Sequence, residues 1–126
     1  MIFPYQKNSA GDFFPIIELF IDYKNKTTKT FSLIDSGATI SVFKPQVAKS
    51  LDLKIEDGRL TYLGGVGGRI KGYIHILTLD IGRKLLKVPV VFSHEYTVSF
   101  NLLGRSGIFE NFKITFDENN LKVKLT

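Results

Sequence analysis

The residues with the clearest capacity for chemistry are Asp35 and Ser36, at the end of a stretch that reads Phe31-Ser-Leu-Ile-Asp-Ser-Gly-Ala-Thr39. The apolar residues of this stretch favour a buried strand, and a carboxylate at its end carries a free-energy cost that functional sites tolerate. Ser36 can form hydrogen bonds, and Gly37 allows a sharp turn or the close approach of another chain. An ordinary Asx-type turn is the alternative interpretation, since Asp, Ser and Gly all favour turns.

The composition indicates one globular domain over residues 1–126. Hydrophobic residues make up 44% of the chain and charged residues 23%, which is typical of a domain that buries a core without disulfides. The absence of cysteine from the sequence excludes disulfides and thiolate chemistry. His75 and His94 are far apart in the sequence, which argues against a zinc site.

A formal net charge of +5 makes nucleic acid a partner to consider. The basic residues are scattered, however, and lysines also protect exposed strands from edge-to-edge pairing, so a basic nucleic-acid-binding β-barrel is the weakest alternative. The N-terminus lacks the pattern of a signal peptide, and no apolar run approaches the ~20 residues of a membrane helix. We therefore expect a cytoplasmic protein with no membrane partner.

Short strands dominate the pattern along the chain. A polar run, Lys24–Lys29, reads as a hairpin loop, and two short helices are expected, one from Pro45 with Val47, Ala48 and Leu51 on one face and one over Ser106–Phe112. The strands are expected at Phe13–Tyr23, Lys29–Asp35, Thr39–Phe43, Arg59–Leu63, Ile70–Ile81, Leu85–Phe92, Phe112–Phe116 and Leu121–Leu125. This pattern predicts an all-β fold, closed or partly closed.

Four glycines surround Val66, and they indicate a mobile hairpin tip that approaches another group closely. In the strand that follows, Ile70–Ile81, apolar residues change from even to odd positions. The strand therefore either buries one face near its start and the opposite face near its end, as it would if it ran from a projecting hairpin into the body of the protein, or it contains a bulge. Pro89 marks the next strand as an edge strand or a bulge.

Two segments of the chain resemble each other. Phe31-Ser-Leu-Ile-Asp35 and Phe100-Asn-Leu-Leu-Gly104 each run from an aromatic residue through a small polar residue and two aliphatic ones to a turn. This similarity predicts one supersecondary unit used twice, with the two strands close together in the core and the acid kept only in the first copy.

Three blocks together resemble the retropepsin-like aspartic peptidases. Leu33-Ile-Asp-Ser-Gly-Ala38 is similar to their catalytic loop, Leu63-Gly-Gly-Val-Gly-Gly-Arg-Ile70 to their glycine-rich flap, and Leu102-Leu-Gly-Arg105 to the segment before their C-terminal helix. The resemblance implies a retropepsin-like half-barrel with a flap hairpin and one or two short helices. It also implies an aspartic endopeptidase that acts on peptides or proteins as a homodimer, with one Asp35 from each subunit and no metal or other cofactor.

The resemblance also assigns roles to individual residues. Asp35, Ser36 and Gly37 would form the catalytic loop, while Gly104 and Arg105 would support it structurally. The residues expected to contact substrate are Leu33, Ala38, Thr39, Val42, Gly64, Gly65, Val66, Gly67, Gly68, Phe100 and Leu102.

Three questions remain open at this level. Thr39 stands where the family often has an acid, which leaves the partner of Arg105 in doubt. The strand Leu121–Leu125 either pairs between subunits or closes a hairpin within one chain. A module of this fold that binds peptides with little catalysis is the main alternative function; a serine hydrolase is not, because Ser36 lacks the Gly-x-Ser-x-Gly turn.

Overall fold

The computed structural model describes residues 1–65 and 67–126, so the substrate contact predicted for Val66 lies outside the described residues. In chain order the elements are β1 (Ile2–Pro4), β2 (Gln6–Lys7), β3 (Phe13–Phe14), β4 (Ile16–Tyr23), β5 (Lys26–Ile34), β6 (Ser41–Phe43), α1 (Pro45–Ser50), a 3-10 helix (Ile55–Asp57), β7 (Arg59–Gly65), β8 (Gly68–Ile81), β9 (Lys84–Phe92), β10 (Asn101–Leu103), β11 (Ile114–Asp117) and β12 (Lys122–Leu125). Among these residues no helix has the length and apolar character that crossing a membrane requires.

The main sheet closes on itself. Its strand order is β4-β5-β10-β6-β9-β8-β7, and β4 also pairs with β8, so six strands form a ring around the core and β7 extends from it. Alternating residues of these strands point inward and pack there; Ile17, Leu79 and Leu103, for example, are fully buried. The predicted all-β fold is confirmed.

The two similar segments lie side by side. β10 pairs with β5 in parallel, with Leu102 opposite Leu33 and Leu103 opposite Ile34. The prediction that the repeated strands are neighbours in the core is therefore confirmed. Because parallel neighbours end at the same edge of a sheet, the turns that follow them, at Asp35 and at Gly104, lie next to each other.

The long strand β8 runs from the glycine-rich hairpin into the ring. It pairs with β7 near its start, as at Leu63 opposite Ile70, and with β9 in unbroken register from Tyr73 to Ile81. The odd positions from His75 to Ile81 are buried, whereas on the even face Gly72 is buried, Ile70 and Ile74 are half-buried and Ile76 is 63% exposed. The expected burial of the odd face is therefore observed, that of the even apolar residues is not, and the alternative of a bulge in the β8–β9 pairing is wrong.

Pro89 occupies a position that tolerates the loss of an N–H group. It pairs with Ile76 of β8, and the pairing of β9 with β6 begins one residue later, at Val90. Residues 84–89 of β9 therefore pair with β8 but not with β6, and Pro89 ends this edge portion of the strand, as expected for proline in a sheet.

The predicted loop Lys24–Lys29 is wrong. The turn consists of Lys24 and Asn25, and Lys26 already begins β5 opposite Tyr23. Lys24 adopts a left-handed φ of 53°, which permits the tight turn and lets the polar residues continue as a solvent-facing strand.

The predicted helix Ser106–Phe112 is also wrong, because residues 106–111 form successive turns. Gly107 has a φ of 79°, which lies outside the helical region. Its N–H donates to the side-chain carboxylate of Glu110, 2.9 Å to Oε1 and 3.1 Å to Oε2. Local side-chain bonding of this kind competes with a helix, and the apolar spacing alone did not reveal it.

A separate three-stranded sheet contains both chain ends, in the order β1-β12-β11. β12 is its central strand and pairs with β11 on one side and β1 on the other. The Met1 amino group donates to the Leu125 carbonyl and the Leu125 N–H to the Met1 carbonyl, each at 2.9 Å. In this structure β12 closes a hairpin within one chain.

Candidate active site

Asp35 lies at the point where β5 leaves the sheet, and backbone hydrogen bonds fix its loop. Its N–H donates to the Leu103 carbonyl at 3.0 Å, and its carbonyl accepts from Ala38 at 3.2 Å. Its carboxylate Oδ1 accepts from the Gly37 N–H at 2.9 Å. These bonds turn the half-buried carboxylate back over its own loop and hold it in one orientation.

The second copy of the repeat supports the first. The N–H groups of Arg105 and Ser106 donate to the carbonyls of Ala38 and Thr39, both at 2.9 Å. Gly104 lies directly against the backbone of Ile40, where a Cβ atom would be 2.5 Å from the Ile40 carbonyl oxygen. The absence of a side chain at residue 104 therefore allows the two turns to approach and interlock.

The structure identifies a partner for Arg105. Its Nη1 donates to the backbone carbonyl of Ser36 at 3.3 Å. A backbone oxygen thus accepts the bond that was in doubt because Thr39 stands where the family often has an acid. Arg105 is exposed and connects the second turn to the loop that carries Asp35.

A cleft of about 490 Å³ opens between the Asp35 loop and the glycine-rich hairpin of β7 and β8. Of the predicted site residues, it is lined by Asp35, Gly37, Ala38, Thr39, Val42, Gly64, Gly65, Gly67, Gly68 and Leu102. One carboxylate, the loop backbone and apolar side chains therefore face a common space, which is the usual composition of a binding site.

Leu33, Ser36 and Phe100 are not among the residues that line the cleft. Leu33 lies one strand farther away, because β10 with Leu102 stands between β5 and β6. The ring of Phe100 packs against Phe14, with ring centroids 5.3 Å apart. Ser36 is exposed at the tip of the loop, where it can meet another chain.

Five lining residues were not predicted: Ile40, Leu63, Ile70, Tyr96 and Val98. Leu63 and Ile70 flank the glycines and pair across the hairpin, so their symmetric placement was a usable signal. Tyr96 and Val98 come from an irregular segment whose position depends on tertiary contacts, and their residue types gave no indication of it.

The negative charge of Asp35 affects the pKa of Tyr96. Burial raises the pKa of Tyr96 to about 12, and the negative charge of Asp35 adds to this effect. Its hydroxyl donates to the Phe100 carbonyl at 2.7 Å. The phenol therefore remains a protonated hydrogen-bond donor at neutral pH.

A second groove of about 480 Å³ lies beside α1 and contains His94 and Glu56, 3.3 Å apart. Both side chains are largely exposed, and exposed ion pairs of this kind are common at surfaces and contribute little. The cleft beside Asp35 combines a positioned carboxylate with apolar walls, and we take it as the candidate active site.

A sequence model described as "Aspartyl protease" matches residues 24–106, more than half of the chain and including Asp35, Gly104 and Arg105. The chain belongs to this aspartyl protease family. No curated protein matches it in sequence.

Solved structures place this family member among the retropepsin-like folds. A retropepsin-like aspartic protease from Rickettsia conorii superposes with a TM-score of 0.73 and 20% identity, covering 98% of each chain. The EIAV protease, solved in complex with the inhibitor HBY-793, gives a TM-score of 0.58 and 24% identity over 73% of this chain and 82% of that one. The retropepsin-like fold predicted from the three sequence blocks is confirmed.

Proposed function

We propose that two copies of this chain form an aspartic endopeptidase whose active site contains Asp35 from each subunit. The observation that supports this proposal is that each chain has a single Asp-Ser-Gly loop, whose carboxylate faces an apolar cleft beneath a glycine-rich hairpin. Peptide hydrolysis by carboxylates needs both a general base and a general acid, and a second Asp35 supplies the missing group.

Paired carboxylates account for the chemistry. Two such groups a hydrogen bond apart share one proton, because both cannot ionise easily. The ionised carboxylate takes a proton from a bound water as that oxygen adds to the peptide carbonyl carbon, while the protonated carboxyl donates to the carbonyl oxygen. Protonation of the amine then accompanies cleavage of the C–N bond. The two groups titrate as one unit.

The remaining residues would position the substrate. Ser36, exposed at the loop tip, would hydrogen-bond across the dimer, and Gly37 would leave room for a substrate backbone beside the carboxylates. Val42 and Leu102 would contact apolar side chains, and the glycine-rich hairpin would close as a flap and exclude water. No step needs a cofactor, and residues 1–126 would act as one domain.

Peptide cleavage by the wild type and by Asp35→Asn tests the proposal, with sedimentation to measure association. We expect wild-type cleavage to appear with dimer formation and Asp35→Asn to lose it by at least about 100-fold, with an unchanged melting temperature. Asp12→Asn, which changes an exposed carboxylate away from the cleft, is the matched control and should remain fully active.

Three results would contradict the proposal. Cleavage that persists in Asp35→Asn would exclude Asp35 as the acid–base group. A wild type that remains monomeric while cleaving would exclude a dyad shared between chains. A wild type that binds peptides without cleaving them would favour a peptide-binding module.

A further inference from the structure

We propose that Tyr96 is a positioning residue of this cleft. Tyr96 holds the segment Ser93–Phe100 in place as one wall of the cleft and so determines how tightly a peptide binds. This inference rests on the proposed peptidase function, since it concerns the same cleft. It adds a residue that lies outside the three sequence blocks.

The Tyr96 hydroxyl closes the segment into a fixed loop. It donates to the Phe100 carbonyl at 2.7 Å, four residues later and directly before β10. Both Tyr96 and Val98, which lies within the closed loop, line the cleft. Residues 93–100 contain no strand or helix, so a side-chain bond performs here the positioning that strand pairing performs elsewhere.

The start of the same segment is bonded to the base of the glycine-rich hairpin. Ser93 Oγ donates to the Lys71 carbonyl at 2.5 Å, and the Lys71 N–H donates to Glu95 Oε2 at 3.2 Å. The Tyr96 N–H then donates to the Ser93 carbonyl at 3.2 Å. The segment is therefore connected to β8 at one end and, through Tyr96, to the entry of β10 at the other.

The role of Tyr96 is positional because its hydroxyl proton is already engaged. The bond to the Phe100 carbonyl directs that proton away from a reacting peptide. Loss of the hydroxyl would release the wall of the cleft without changing the carboxylate that performs the chemistry. We therefore expect binding to change while the chemical step does not.

Tyr96→Phe tests this role, since it keeps the ring and removes the hydroxyl. With a fluorogenic peptide that has a central Phe-Leu pair, we expect KM to rise about five-fold, as for one lost hydrogen bond, and kcat to stay within about two-fold. Tyr5→Phe is the matched control, because the Tyr5 hydroxyl also donates, to Glu118 at 2.8 Å, but outside the cleft. It should leave KM and kcat unchanged.

Peptide binding without turnover separates this inference from the proposed function. In an Asp35→Asn background, we expect Tyr96→Phe to weaken calorimetric binding of the same peptide about five-fold, whether or not the wild type cleaves it. If Tyr96→Phe lowers the melting temperature as Tyr5→Phe does but leaves KM and peptide affinity unchanged, Tyr96 is merely structural and the inference is wrong. If Tyr96→Phe instead lowers kcat at constant KM, Tyr96 acts on the chemical step, and the inference is also wrong.

Discussion

At the scale of single residues, Gly104 determines how closely the two turns of the repeat approach. Its N–H donates to Ser41 Oγ at 3.0 Å, and its missing side chain leaves space that the Ile40 backbone fills. A backbone neighbour cannot rotate away as a side chain can, so this contact requires glycine. The orientation of the Asp35 loop therefore depends on a residue that carries no chemistry.

Gly104→Ala should lower the free energy of unfolding by about 1–3 kcal/mol, because the added methyl group overlaps backbone atoms that cannot yield without shifting the loop. Gly64→Ala is the control, since a Cβ atom there meets none of the described residues within 4 Å, and its stability should change little. Urea denaturation measures both. Equal stability of the two variants would show that the turns can separate without cost.

The sequence predicted those site residues whose chemistry and spacing are local. Asp35, Gly37 and the hairpin glycines were found because each belongs to a short contiguous pattern, and they lie in the cleft lining. Tyr96 and Ile40 were missed because their placement depends on which segments pack together. The same limit explains why Leu33 was expected in the cleft lining. Its apolar side chain suits a pocket wall, but Leu102 lies between Leu33 and Val42 in the sheet.

At the scale of elements, β8 connects the glycine-rich hairpin to the ring of strands, and its bonds to residues 93–95 lie where it leaves the ring. Gly72 is buried there against Val91 and Ser93, and Ser93 has no exposed surface. Ser93 Oγ donates to the Lys71 carbonyl and accepts from the Glu95 N–H at 3.1 Å. One buried hydroxyl thus holds the base of the hairpin and the neighbouring segment together.

Ser93→Ala should lower the free energy of unfolding by about 1–3 kcal/mol, since it removes a buried hydroxyl and leaves the part-buried Lys71 carbonyl and the Glu95 N–H without their partner. Hydrogen exchange should also accelerate at Glu95, which loses its acceptor. Ser50→Ala is the matched control: its hydroxyl also donates to a carbonyl, that of Gln46 at 3.1 Å, but in an exposed helix. A loss of stability no larger than in Ser50→Ala would contradict this role.

Alternating burial was predicted correctly at the odd positions of β8, whereas its even apolar residues are not buried. The two wrong elements have local causes that periodicity does not report. A left-handed Lys24 tightened the first hairpin, and Gly107 with the Glu110 carboxylate replaced a helix by turns. Backbone conformation and side-chain hydrogen bonds determine the structure of both segments, and the spacing of apolar residues does not report either of them.

At the scale of the whole molecule, the sheet that contains both chain ends constrains how a dimer can form. β12 uses both of its edges within its own chain, and its Val123 and Leu125 side chains are buried in the core. We therefore expect the two subunits to associate without exchanging β1 and β12. In the proposed dimer, the exposed loop with Ser36, Thr39 and Arg105 would be the surface through which two Asp35 residues meet.

A double variant, Ile2→Cys with Lys124→Cys, tests this arrangement in a chain without native cysteine. These residues are opposite each other in the β1–β12 pair, at the separation that suits a disulfide. We expect oxidation to give a crosslink within one chain, seen as a monomer on a non-reducing gel. Thr115→Cys with Lys124→Cys, opposite across the β11–β12 hairpin, is the control that crosslinks within a chain in any case. A covalent dimer from the first pair alone would show strand exchange.

Subunit mixing shows whether each active site contains one Asp35 from each of two chains. Wild type and Asp35→Asn are mixed in equal amounts at constant total concentration, above the dissociation constant of the dimer, and allowed to exchange subunits. Random pairing leaves about a quarter of the sites with two aspartates, so we predict about a quarter of the activity of the undiluted wild type. An activity of about half would mean that each chain carries a complete site, which would contradict a dyad shared between two chains.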